Sequence, residues 1–298
     1  MIVQNINNLS LANFIIFKFK AYFELLKFRL SFLVAFSSGF GYILGVKNFD
    51  WLTFLMLFLG GFLVSGASVT INQIIEKDLD KLMSRTLNRP LPTFRINVNE
   101  AIVVAGLTAL TGFYILIIYT NVLTTLLSLL SMILYSFVYT PLKRVGPVAV
   151  LVGAIPGAMP PLLGWIAATG TISHEAMIIF GIQFIWQFPH FWAIAWVADE
   201  DYKRAGFKLL PSGGKKDLNT AIKIMIYTLF LIPLGLLPLK FGITGINSAL
   251  IVTVCGVLFL AQTFSLMKDG SRKSALRIMF GSFLYLPIVQ IAFLLDKV

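Results

Sequence analysis

Nine apolar runs, each close to the length of a membrane span, dominate this 298-residue chain. Their approximate limits are 28–46, 51–73, 100–119, 121–140, 147–169, 174–198, 221–240, 245–266 and 276–295. An α-helix of ~20 apolar residues crosses the ~30 Å hydrocarbon core of a bilayer. Backbone in lipid has to satisfy its own hydrogen bonds, and unbroken runs of this kind do so as helices. The expected fold class is therefore all-α, a polytopic membrane protein with nine transmembrane helices. Composition agrees: 12% of the residues are charged, against about a quarter in a soluble domain.

The net charge of +11 takes its meaning from those spans. In a membrane protein a basic excess is tested first against the positive-inside rule, and no nucleic-acid partner is expected. The connections after spans 2, 4, 6 and 8, together with the N-terminal segment, hold twenty-one of the 24 Lys and Arg residues. Lys47, Lys240 and Lys297 are left for the other side. The bias places the N-terminus and all long loops in the cytoplasm and the C-terminus outside, in a multi-pass protein of the cell inner membrane. Residues 1–27 read as an interfacial segment, with Phe14, Phe17, Phe19, Tyr22 and Phe23 interleaved with Lys18, Lys20 and Lys27. No cleavable signal peptide is expected, because no basic stretch precedes an apolar core there. Cys255 stands alone mid-span, which excludes an intrachain disulfide and a multi-cysteine metal site. No Asp, Glu, Lys or Arg lies deep in a span. That argues against the different-class alternative, a lipid or metabolite transporter, in which ionisable groups belong at mid-membrane.

Residues 72–95, NQIIEKDLDKLMSRTLNRPLPTFR, are the densest polar stretch. Asn72, Glu76 and Asp80 recur at i, i+4 and i+8, so one helix face carries three oxygen-bearing side chains. Asp78 points ~200° away from Glu76 and ranks lower. Lys81, Arg85 and Arg89 follow. An acidic ladder leading into a basic one suits a diphosphate held partly through Mg²⁺, which takes carboxylates and substrate phosphates as ligands. Arginine forks match phosphate oxygens. The plainer alternative is an amphipathic helix at the membrane surface with its charges solvated.

Three further stretches carry candidate chemistry. In YTPLKR, Pro141 is expected to end span 4, with Lys143 and Arg144 emerging beyond it. Tyr139 and these cations are either an ordinary interfacial flank or part of an anion site. In IWQFPHFWAIAWVADEDYKRAG, Trp186, Trp192 and His190 sit among aromatics. The histidine is a hydrogen-bonded structural residue, a contact to a large planar ligand, an iron ligand or a proton-transfer group. Asp199, Glu200 and Asp201 follow, so spans 2 and 6 both end in acids, a weak internal echo that sets two helix ends facing each other across one cavity. His174 looks merely interfacial. Finally, GPVAVLVGAIPGAMPPLLGWIAATG packs five glycines and four prolines into one span. Pro156, Pro160 and Pro161 are expected to break its hydrogen-bond ladder, and broken backbone at this depth belongs beside a cavity. Tight helix packing alone is the alternative.

Taken together, NQIIEKDLDKLMSRTLNRPLP, YTPLKR, PGAMPPLLGW, WQFPHFWAIA and DYKRAGFKLLP resemble the UbiA family of intramembrane prenyltransferases, and within it the heme-directed branch. The resemblance spans roughly residues 20–295. It implies a transmembrane prenyltransferase domain over 28–298, with nine helices around a central cavity and cytoplasmic loops as its cap. It implies transfer of the farnesyl group of farnesyl diphosphate to a vinyl group of heme b, with addition of water, giving heme O. Asn72, Glu76 and Asp80 match the first acidic motif, binding diphosphate through Mg²⁺, with Arg85, Arg89, Lys143 and Arg144 as its cations. Most members have a second DxxxD after span 6. This chain has Asp199 and Asp201, leading into Tyr202, as the corresponding metal and substrate positions. Tyr139, Trp186, His190 and Trp192 are implied to contact substrate. The partners are farnesyl diphosphate, heme b and membrane lipid, with a heme A synthase or terminal oxidase as recipient. The alternative within the family is an aromatic acceptor such as 4-hydroxybenzoate or a chlorin.

Overall fold

The computed structural model describes residues 10–298. Residues 1–9, the head of the segment read as interfacial and free of a cleavable signal, lie outside the described residues. A first helix, α1 (Leu11–Leu25), precedes nine membrane-length helices among the described residues. These are α2 (Phe28–Gly45), α3 (Trp51–Asp80), α4 (Val98–Tyr119), α5 (Val122–Leu142), α6 (Val148–Thr169), α7 (His174–Val197), α9 (Leu218–Lys240), α10 (Ile246–Asp269) and α11 (Arg272–Leu295). A short helix, α8 (Asp199–Arg204), follows α7.

The expected spans therefore hold, with α3 running past 73 to Asp80. Local sequence sets where they begin. Asp50, Asn121, Ser173, Asp217 and Ser271 each accept a bond from the first turn of the helix they precede, and Asn97 forms a reciprocal capping box with Glu100. Gly170 and Gly270, both in the left-handed conformation, close α6 and α10. Large apolar side chains such as Leu107, Leu110, Leu250, Leu258 and Leu284 point outward, as lipid contact requires.

Helix α6 runs through the interior, packed on α2, α5 and α7. Its coil continues through Pro156, Pro160 and Pro161, although they interrupt the hydrogen-bond ladder as expected. A proline removes the N–H that would bond the carbonyl four residues earlier. Pro161 thus frees the Gly157 carbonyl, which accepts from Gln183 Nε2 of α7 at 2.9 Å. Pro160 frees the Pro156 carbonyl, which accepts from the Ser131 hydroxyl of α5 at 3.4 Å. Neighbouring helices supply partners to these two carbonyls, and the coil continues. Helix α7 is likewise continuous through Pro189. Helix α5 widens into a π-helical turn over Leu134–Tyr139 and ends just after Pro141, with the Thr140 hydroxyl bonding the Tyr135 carbonyl at 2.9 Å.

The charged connections gather at one end of the bundle. Lys18 pairs with Glu100 at 2.9 Å, Ser84 bonds Asp201, and the Lys208 amide bonds the Lys143 carbonyl at 3.0 Å. The C-terminus lies at the opposite end, where the Lys297 ammonium donates to the carbonyls of Ile43 and Val46.

Candidate active site

The acidic ladder occupies the last turns of α3, at the mouth of the bundle, and it is buried rather than solvated. Asn72, Glu76 and Asp80 are 2%, 4% and 0% exposed, which removes the surface-helix alternative. Each acid meets one of the basic residues singled out in the sequence. Lys143 Nζ lies 2.8 and 3.1 Å from the two oxygens of Glu76. Arg89 Nη1 lies 2.8 and 2.7 Å from those of Asp80. Asn72 donates from Nδ2 to Glu76 and to Thr140 Oγ1, both at 3.0 Å, which spends its amide protons and leaves Oδ1 without a partner among the described residues. Asp78 faces away, exposed and paired with Lys77 and Lys81, as its helical angle predicts.

One cation of this site was counted in the sequence only toward topology. Lys27 sits between α1 and α2 in a left-handed conformation, φ 45°. The turn is clamped to α3, where Gln73 Nε2 donates to the Leu25 carbonyl at 2.6 Å. Gln73 lies one helical turn before the acids, so the clamp hangs the turn over the ladder. The Lys27 ammonium has no ion pair or hydrogen bond among the described residues. Burial first, then the positive charges of Arg89 and Lys143, hold its pKa well below the usual lysine range, against the pull of Glu76 and Asp80. Its only sequence signal was a base flush against an apolar run, which any positive-inside flank provides.

The remaining site residues divide. Arg85 stands over the Tyr202 ring at 5.2 Å and bonds its hydroxyl at 3.3 Å. Asp201 accepts from the Ser84 hydroxyl at 2.8 Å, from the amides of Ser84 and Arg85, and from Arg204. Burial works to raise its pKa, but the Ser84, Arg85 and Arg204 contacts outweigh it, and the carboxyl lies below its usual range. Asp199 pairs with Lys203 at 2.8 Å and Lys216 at 3.2 Å. Both acids after α7 thus anchor loops in this structure, and the echo between spans 2 and 6 is a contact, with Asp201 holding the loop that follows α3. No group of three His, Cys, Asp or Glu side chains at metal-binding spacing occurs among the described residues. Arg144 is exposed, with no ion pair among them.

Beneath the ladder lies a cavity of about 460 Å³ that begins one turn away, at Ser68 and Val69. Gly153, Pro156, Gly157 and Pro160 of α6 line it, as the density of glycine and proline in that span predicted. So do Tyr139, Trp186 and His190. The Lys143 ammonium lies 4.8 Å from the Tyr139 ring, which joins the charged mouth to the apolar chamber. Trp192 is not among the lining residues. It turns from α7 toward α9, packing its ring 5.4 Å from Phe188 and 5.1 Å from Tyr227. Helical periodicity places Trp186 and Trp192 ~120° apart around α7, and the sequence had no means of saying which of the two faces inward.

Buried acid–base pairs above an apolar chamber, within the nine membrane-length helices of the described residues, match a known class. The chain belongs to the UbiA prenyltransferase family, whose model matches residues 33–286. It is a multi-pass membrane prenyltransferase. It is 55% identical over 282 residues to a protoheme IX farnesyltransferase of Cytophaga hutchinsonii, covering 94% of this chain and 99% of that one. A protoheme IX farnesyltransferase of Flavobacterium psychrophilum is 46% identical over 94% and 95% of the two chains. Among solved structures, a digeranylgeranylglyceryl phosphate synthase superposes with a TM-score of 0.78 at 20% identity, covering 94% of this chain and 98% of that one. A UbiA homologue from Archaeoglobus fulgidus bound to DMAPP and Mg²⁺ superposes at 0.63 and 19% identity, covering 91% and 98%. At these identities the two structures establish the fold.

Proposed function

We propose that the protein transfers the farnesyl group of farnesyl diphosphate to a vinyl group of protoheme IX, with addition of water, giving heme O and diphosphate. The observation that carries this reading is the 55% identity over nearly the whole chain to a protein named for that transfer. The site's charge layout supports the diphosphate half of the reaction. The farnesyl tail lies in the apolar chamber and the diphosphate meets the cations at its mouth. Lys27, Arg85, Arg89 and Lys143 stabilise negative charge as the C1–O bond breaks and its electron pair leaves with diphosphate. The vinyl π electrons then form the bond to C1, and water adds to the resulting cation with loss of a proton. Tyr139 and Trp186 offer aromatic faces to the allylic cation, worth about 1–2 kcal/mol each when desolvated.

The donor set at the ladder fits Mg²⁺, since it consists of oxygens, with Asn72 Oδ1 already free. Asn72, Glu76 and Asp80 would hold the ion, which supplies neutralisation of diphosphate charge. Lys143 and Arg89, which sit beside those carboxylates, would be the cations at hand for the phosphate oxygens. The basic end faces the cytoplasm, with the C-terminus outside the inner membrane. The product passes within the bilayer to a heme A synthase or terminal oxidase.

Membranes containing the protein, incubated with heme b, farnesyl diphosphate and Mg²⁺, yield the prenylated, hydrated porphyrin by mass spectrometry, and chelation abolishes it. Failure to form that product, with 4-hydroxybenzoate accepted instead, overturns the heme assignment. Full turnover in chelator overturns the metal assignment. A separate variant checks the unpaired cation: Lys27→Gln weakens diphosphate binding about tenfold or more, while Lys27→Arg largely restores it. Unchanged binding in Lys27→Gln removes that residue from the site.

A further inference from the structure

Ser282 of α11, which has no part in the chemistry above, ties two cavity-lining residues of α7 in place. Its backbone carbonyl accepts from Trp186 Nε1 at 3.1 Å, and its hydroxyl oxygen lies 2.9 Å from His190 Nδ1. The same hydroxyl lies 2.6 Å from the Met279 carbonyl. A hydroxyl has one proton and a carbonyl has none, so the Ser282 proton goes to Met279. The Ser282 oxygen can then only accept from the imidazole. His190 therefore carries its proton on Nδ1, and Nε2 bears a lone pair.

The ring is also fixed in orientation. It stacks on Trp186 at 4.4 Å and 22°, and the rings of Phe191 and Phe283 meet it edge-on at 5.2 and 5.1 Å. Nε2 has no hydrogen-bond partner among the described residues and is not fully buried, and His190 is one of the residues that line the cavity. A histidine kept only for packing gains nothing from a bare nitrogen in an apolar chamber. A neutral imidazole with one nitrogen anchored by the protein and the other presented bare is how proteins offer a ligand to a metal. Mg²⁺ belongs with the oxygen donors at the mouth. Imidazole suits iron, and the proposed substrate brings iron into the chamber.

We infer that His190 Nε2 ligates the iron of the heme substrate, and that Ser282 is the positioning residue that sets its tautomer and ring plane. The inference rests on the heme reading above. The Nε2 lone pair forms the Fe–N bond at an axial position. No proton is released, because Nε2 carries none, and the iron keeps its oxidation state.

Purified protein in detergent is titrated with ferric heme and, separately, with iron-free protoporphyrin IX, and binding is followed by absorption and electron paramagnetic resonance. The wild type binds ferric heme at least tenfold more tightly than the iron-free porphyrin and gives a nitrogen-ligated spectrum. His190→Ala binds the two alike and loses that spectrum, which added imidazole restores. Ser282→Ala weakens heme binding about ten- to a hundredfold, the usual cost of losing a partner behind a metal ligand. Ser282→Thr, which keeps the hydroxyl, retains it. An unchanged spectrum in His190→Ala, or equal wild-type affinity for heme and iron-free porphyrin, overturns the ligation while leaving the heme reading standing. Binding of neither porphyrin overturns both.

Discussion

Glu76→Gln and Asp80→Asn each lower turnover about a thousandfold while the protein still inserts and folds, the scale expected when a preorganised charge is lost from a buried site. The amide replacements keep the shape of the side chains and one carbonyl acceptor each. Lys143 retains an oxygen partner at Glu76→Gln, and Arg89 retains one at Asp80→Asn. Alanine would serve less well, because Lys143 is only 9% exposed and stranding it without a partner is destabilising in its own right. The measurement pairs steady-state product formation with thermal unfolding in detergent. A thousandfold loss with an unfolding temperature close to wild type places both carboxylates in the chemistry. Turnover within severalfold of wild type removes the metal-site assignment. The same substitution at Asp78, exposed and outside the ladder, leaves turnover near wild type.

Gly164→Ala and Gly41→Ala each destabilise the fold by about 3 kcal/mol or more, the upper end of what overpacking costs. Helices α2 and α6 cross with backbone against backbone. A Cβ on Gly164 would lie 1.8 Å from the Ser38 carbonyl oxygen and 2.6 Å from the Tyr42 nitrogen. A Cβ on Gly41 would lie 1.9 Å from the Pro161 carbonyl oxygen. Backbone atoms inside two helices have no rotamer by which to yield, so the helices must part. Because α2 and α6 both line the chamber, turnover falls with stability. The internal control is Gly106→Ala on α4, where an added Cβ meets nothing within 4 Å. There alanine's better helix propensity gives a neutral to slightly stabilising result. Thermal unfolding of the three variants in one detergent settles the comparison: equal unfolding temperatures would mean that the α2–α6 crossing is looser than described.

Much of this molecule could be read before any coordinates, and the readable part has a common character. Span length, helix caps and the i, i+4, i+8 ladder depend on residues within a few turns of each other, and the helical repeat converts that spacing directly into a shared face. The topological bias of Lys and Arg is likewise a sum along the chain. Expectations drawn from one segment were incomplete where a neighbour mattered. Three prolines were expected to interrupt the ladder of α6; the sequence did not show that the coil would continue, with Gln183 and Ser131 reaching across from α7 and α5 to take two of the released carbonyls. Asp199 and Asp201, placed by family pattern at a metal, also reach across the chain, to Lys216 and Ser84, besides pairing locally with Lys203 and Arg204, and no spacing within their own segment announces the longer contacts.

By itself, then, the sequence determined the class of fold, the nine spans, the acid ladder and the stretches that meet it. Only the tertiary structure decided that Lys27 hangs over the acids, that Trp186 faces the chamber while Trp192 does not, and that His190 has one nitrogen committed and the other bare. The reason is physical: a side chain's spacing along its own helix is a local property. What it meets depends on the rotation and depth of helices distant in sequence, and no periodicity within one segment encodes that.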